Sequence, residues 1–164
     1  MNIYLALDLS ISSTGYCVID DNFKIISYGK IQTKKDHFKT EDKRIFYICN
    51  EIDSLIKKHN VTIGVFEDQY LGRNPKTGLI LRKCLGAAIK TFDNHNIECF
   101  YMKPTEVRKV LFNQGGAKKD RVANYIRKYY LDIGELNDRN CKDKNSDIYD
   151  AVALGISYIK SIKE

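Results

Sequence analysis

No stretch of this sequence approaches the roughly 20 consecutive apolar residues of a bilayer-spanning helix. The start, Met1-Asn2-Ile3-Tyr4, lacks the basic segment and cleavage site of a signal peptide. The expectation is therefore a cytoplasmic protein without a membrane partner. Only two prolines are present, and neither repeats nor low-complexity linkers occur, which excludes collagen, disorder and solenoid arrays. Five cysteines, Cys17, Cys49, Cys84, Cys99 and Cys141, contain no C-x-x-C pair and are odd in number. Neither a disulfide framework nor a zinc site is indicated, and Cys17 and Cys99 read as thiols inside strands. His37, His59 and His95 have no ligand spacing and are expected at the surface. Ser12 and Ser13 lack a Ser-His-Asp context, which argues against nucleophilic catalysis.

What is present is a globular composition: 164 residues, 43% hydrophobic and 29% charged. That length suits one domain over 1–164, burying roughly 70% of its unfolded surface. The net charge of +6 is unevenly spread. Residues 71–130 carry 13 Lys and Arg against 4 Asp and Glu, whereas the remainder carries 14 against 17. This segregation suits a polyanionic partner for the middle of the chain and a task for acidic groups outside it.

Apolar and β-branched patterning predicts strands over 3–9, 15–20 and 24–32, forming a meander around the turn Asp20-Asp21-Asn22. A helical period from Thr40 or Asp42 follows, with Ile45, Ile48, Ile52 and Ile56 on one face. Val61 to Phe66 reads as a strand parallel to the first, ending at Glu67. A helix over 75–94 opens with Asn74 before Pro75, and a fifth strand covers 98–102. Helices are then expected from Pro104 or Thr105, over 117–131 and from Asp147 to about Ser161, the last two separated by a polar loop over 134–145. The predicted class is α/β: a five-stranded mixed sheet, a three-strand antiparallel meander plus parallel strands, with helices on both faces.

Asp8 ends the first strand, on the same side of the pleat as Tyr4 and Ala6. A carboxylate at the edge of a sheet core needs a cation, a metal or hydrogen-bond donors such as the amides of residues 12–15. Glu67 ends the strand expected beside it, and Asp147 and Asp150 share one face of the last helix at i, i+3 spacing. As first-turn acids the latter two also favour the helix dipole. Together, four acids from three segments suit hard divalent cations such as Mg²⁺ or Mn²⁺. Two ions about 3.5–4 Å apart would activate water and stabilise the leaving oxygen at a phosphodiester. Paired acid/base carboxylates of the glycosidase kind explain neither four acids nor the basic middle.

The order of motifs resembles the RuvC-like Holliday junction resolvases of the ribonuclease H-like superfamily. The resemblance covers nearly the whole chain and rests on Ala6-Leu7-Asp8-Leu9-Ser10 with Ser13-Thr14-Gly15-Tyr16, Phe66-Glu67-Asp68-Gln69-Tyr70, Lys118-Lys119 and Asp147-x-x-Asp150-Ala151. It implies a ribonuclease H-like fold and a metal-dependent, paired cleavage of four-way or other branched DNA. Asp8, Glu67, Asp147 and Asp150 would bind two Mg²⁺, with Mn²⁺ substituting, and Lys119 would act near the scissile phosphate. Tyr70 would stack on opened bases, and Arg73, Lys76, Arg108, Lys118, Lys119 and Arg121 would contact DNA. Arg108 stands where bacterial members usually have a second lysine. Asp8-Leu9-Ser10 departs from their Asp-Pro-Gly, and the loop around Arg73 to Gly78 has no close match. The compact, divergent chain looks like a bacteriophage member, working in the host cytoplasm. A homodimer is implied too, since a two-fold protein matches two equivalent strands. The helix over 75–94 has apolar residues on more than one face, for core, interface or neighbouring helices.

Three other readings remain open at this level. Ribonuclease H uses the same metal chemistry on RNA/DNA hybrids. A non-catalytic junction-binding module would need the basic helices without converging acids. Actin-like kinases share Asp8-Leu9-Ser10 and Thr14-Gly15, but they need a second domain and a second Gly-rich motif, so no nucleotide cofactor is expected.

Overall fold

Alternate residues of the first strand face two different cores. In β1 (Ile3–Asp8), Tyr4 and Ala6 belong to one buried cluster, whereas Ile3, Leu5 and Leu7 belong to another. A strand buried on both sides lies inside a covered sheet. The computed structural model describes residues 1–68, 75–116, 118–131, 133 and 145–163, Lys119 by its backbone alone. Its five strands run in the order β3-β2-β1-β4-β5. β2 (Ser13–Asp20) and β3 (Ile25–Gln32) form the antiparallel meander. β4 (Ile63–Glu67) and β5 (Glu98–Met102) run parallel to β1.

One face of the sheet is covered by α1 (Glu41–His59) and α2 (Pro75–Asp93). The Thr40 side chain caps α1 by accepting the Lys43 N–H at 3.3 Å, and Ile45, Ile48, Ile52 and Ile56 point to the core. From α2, Cys84, Ala88 and Phe92 are buried at i, i+4, i+8 spacing. The opposite face carries α3 (Pro104–Phe112), α4 (Lys119–Tyr129) and α5 (Ser146–Ser161). Every residue from Ala151 to Ile159 of α5 is buried, the signature of a helix covered on all sides. A side-chain carbon added at Gly155 would lie 3.2 Å from Ile19 and 3.3 Å from Ala6, so α5 crosses β1 and β2 at close range there.

The expected class and strand directions match this architecture. Boundaries differ in places. α4 starts two residues after Ala117, because Lys118 holds an extended backbone at the N-cap. A short 3-10 turn at Lys35–His37 precedes α1 where no element is predicted. The predicted loop over 134–145, apart from Asn145, lies outside the described residues, as does Cys141. Among the described residues, no helix is long and apolar enough to cross a membrane.

Candidate active site

Asp8 is the last residue of β1 and pairs with Gly15 of β2. The parallel register of β1 and β4 runs from Tyr4 opposite Ile63 to Leu7 opposite Phe66. One further step sets Asp8 beside Glu67, on strands separated by about 4.8 Å. Both project on the α5 side of the sheet, since they alternate with Leu7 and Phe66 of the other core. Gly15 brings the third acid. A Cβ at that position would collide with the Asp147 carbonyl oxygen, so only glycine lets the first turn of α5 rest on the strand end.

The outcome is a cavity of about 130 Å³ lined by Asp8, Glu67, Asp150 and Arg108, with Pro104, Val107, Val122 and Ala153 as its apolar wall. The three carboxylates and Arg108 are half-buried. Carboxylates from β1, β4 and α5 thus open on one space, with Arg108 of α3 the cation among its described lining residues. Asp147 stands apart from that lining. Its carboxylate accepts a hydrogen bond from Ser13 Oγ at 2.6 Å.

The all-oxygen donor set fits a hard divalent cation in kind. As the side chains stand, no group of three or more His, Cys, Asp or Glu among the described residues is arranged to hold a metal ion.

The loop between β1 and β2 is fastened from below. Arg44 of α1, only 6% exposed, donates to Thr33 Oγ1 at 2.8 Å, the Thr33 carbonyl at 3.0 Å, the Ile11 carbonyl at 3.1 Å and Ser12 Oγ at 3.3 Å. Thr14 closes the same loop, donating to the Ser10 carbonyl and accepting the Ser10 N–H. Sequence reasoning passed over Arg44. Its signal was a charged residue four before Ile48, inside the apolar stripe of α1.

The remaining expected residues are more dispersed. Lys118 is exposed at the N-cap of α4, and Lys76 is exposed in the first turn of α2. Arg121 is exposed, donates to Gln114 at 3.1 Å and sits 4.6 Å from the Phe112 ring centre. The Lys119 side chain, Tyr70 and Arg73 lie outside what the structure describes. Of the histidines, His37 is exposed as expected, whereas the other two correct the surface expectation. His95 is half-buried with Nε2 2.7 Å from Asp53, joining the end of α2 to α1, and His59 Nε2 is buried with no hydrogen-bond partner.

The family model described as "Crossover junction endodeoxyribonuclease RuvC" matches residues 4–158. The chain belongs to the RuvC family. A RuvC relative from Dictyoglomus thermophilum is 29% identical over 160 residues, covering 96% of each chain. One from Ehrlichia ruminantium is 29% identical over 170 residues, covering 99% of each. Among solved structures, T. thermophilus RuvC in complex with Holliday junction substrate has a TM-score of 0.80 at 15% identity, over 99% of this chain and 96% of that one. The RuvC-like, ribonuclease H-like fold expected from the motifs is thereby the observed one. These RuvC relatives are bacterial and do not speak for the bacteriophage origin.

Proposed function

We propose that this RuvC family member is a structure-specific endodeoxyribonuclease that resolves four-way junctions and other branched DNA by paired phosphodiester hydrolysis. The observation that carries this reading is the convergence of Asp8, Glu67 and Asp150 on one cavity beside Arg108. A binding module has no need to gather half-buried acids, whose mutual repulsion costs stability unless a cation offsets it.

Asp8, Glu67 and Asp150 would hold divalent cations, two Mg²⁺ in our reading with Mn²⁺ able to substitute. Asp147 joins them by giving up its bond to Ser13. When bound, such ions activate water and stabilise the leaving oxygen. Arg108 faces the incoming phosphate from the cavity wall, and Lys119 is assigned to the same phosphate. Lys118, Arg121, Lys76, Arg73 and Tyr70 are assigned to the DNA approach. Residues 1–164 act as one nuclease domain in the cytoplasm. Two copies would match the two-fold symmetry of a junction. Leu79, 63% exposed on α2 and turned away from the core-facing Cys84 and Ala88, supplies an apolar contact for that pairing.

The deciding experiment incubates the purified protein with a four-way junction, a linear duplex and an RNA/DNA hybrid in Mg²⁺. Symmetrically paired nicks in the junction, abolished by EDTA, are expected. Cleavage of the hybrid alone would transfer the protein to the ribonuclease H reading.

A further inference from the structure

We infer that the groove between α3 and α4 is a second DNA-contact site that holds an unpaired nucleotide of a single strand. The groove is an open, shallow one of about 510 Å³ and lies outside the carboxylate cavity. That volume falls within the range of small-ligand pockets, roughly 300–1,000 Å³. Its floor and walls are aromatic and basic. Phe112 packs 5.3 Å from Tyr125, and Tyr125 packs 4.9 Å from Tyr129, making a short ladder of rings. Each end of the ladder carries a cation: Arg121 lies 4.6 Å from the Phe112 ring centre and Lys128 lies 5.0 Å from that of Tyr129. No Asp or Glu is among the described lining residues.

Phe112 and Tyr125 also pack against the core, whereas Tyr129 goes beyond what folding needs. Arg121, Tyr125, Lys128 and Tyr129 follow i, i+4, i+7, i+8 spacing along one stripe of α4, yet Tyr129 is 59% exposed. An exposed ring with an ammonium beside it offers a base a face to stack on and its phosphate a counter-charge. Duplex bases are already stacked on one another and present only edges and backbone, so an unpaired base is the occupant that uses the rings. Placement agrees: α3 and α4 also supply Val107, Arg108 and Val122 to the carboxylate cavity, and Phe112 stands one helical turn beyond Arg108. A strand leaving that cavity along α3 meets the groove next. The assignment rests on the branched-DNA reading above.

The test measures fluorescence anisotropy of a short labelled single strand and of a labelled linear duplex, with Asp8→Asn as the parent protein. Tyr129→Ala should weaken single-strand binding about fivefold or more, since base–aromatic stacking is lost. Duplex affinity should change less than about twofold, because duplex binding is carried by phosphate contacts. Tyr129→Phe should restore binding, and Lys128→Gln should lower the salt slope for the single strand by about 0.7. Unchanged single-strand affinity in both Tyr129→Ala and Lys128→Gln overturns the site, as does an equal loss on single strand and duplex. The wild-type chain is assayed on a four-way junction alongside. Junction cleavage with a flat single-strand response removes the groove alone; the expected single-strand pattern without junction cleavage keeps the groove and removes the nuclease.

Discussion

Asp8 and Arg44 show how differently a charged side chain can serve one site. Asp8→Asn keeps shape and removes one negative charge from the cavity, so cleavage of a junction should fall by at least about a hundredfold while binding, read by gel shift, is retained. Arg44 never reaches that cavity, yet it ties the loop that follows Asp8 to Thr33 beyond β3, with two hydrogen bonds to each. Arg44→Met leaves buried acceptors without donors and should lower unfolding free energy by about 2–4 kcal/mol, measured by urea denaturation. Asp8 and Glu67 were legible because a carboxylate ending an apolar strand breaks its pattern. Arg44 was not, because one guanidinium in a helix of many charges resembles any solvated residue until its acceptors, spread over two other segments, are in place.

Among elements, α5 decides whether a site exists. Its first turn depends on the bare Cα of Gly15, so Gly15→Val should push Asp150 off the strand ends. Junction cleavage should drop about tenfold or more, with far-ultraviolet circular dichroism largely kept and the melting temperature lowered. The strands and their directions were readable from apolar alternation and the change of period at Thr40. The start of α4 was less so, because Lys118 caps it with backbone alone and offers no Ser, Thr, Asp or Asn as a signal. Asp147 shows a similar limit: its spacing to Asp150 predicts a shared helix face, but Ser13, over a hundred residues away in sequence, claims its carboxylate.

The turn between β2 and β3 is an element with its own pH dependence. Asp21 accepts the Asn2 N–H and the Tyr4 hydroxyl, and these bonds, the backbone one first, hold its carboxyl below the ordinary carboxylate value. The folded state therefore binds fewer protons there than the unfolded chain. Its contribution is present above the ordinary value near 3.9 and fades as pH falls through the lowered one. Tyr4 moves the other way, pushed up to about 12 by burial and then by the Asp21 bond. Its contribution holds below about 10 and is lost as pH rises towards 12. Urea midpoints across pH should show Asp21→Asn less stable than the parent at neutrality, with the gap closing in acid.

For the molecule as a whole, the three half-buried carboxylates predict that divalent cations stabilise the fold. At 100 times its dissociation constant a cation that binds only the folded state adds about 2.7 kcal/mol. Mg²⁺ should raise the melting temperature of the wild-type chain and raise that of Asp8→Asn by less; equal shifts would place the ions elsewhere. Pairing of copies is a separate matter of surface. Leu79→Glu should convert a dimer to a monomer in sedimentation, since a buried unpaired charge at an apolar contact is costly.

The acids of the cavity sit at positions 8, 67 and 150, and the last of them rides on the final helix. During synthesis the ribosome releases the first two long before the third. On the proposed assignment, a chain still being made holds Asp8 and Glu67 without Asp150, and the metal site is complete only when the closing helix docks.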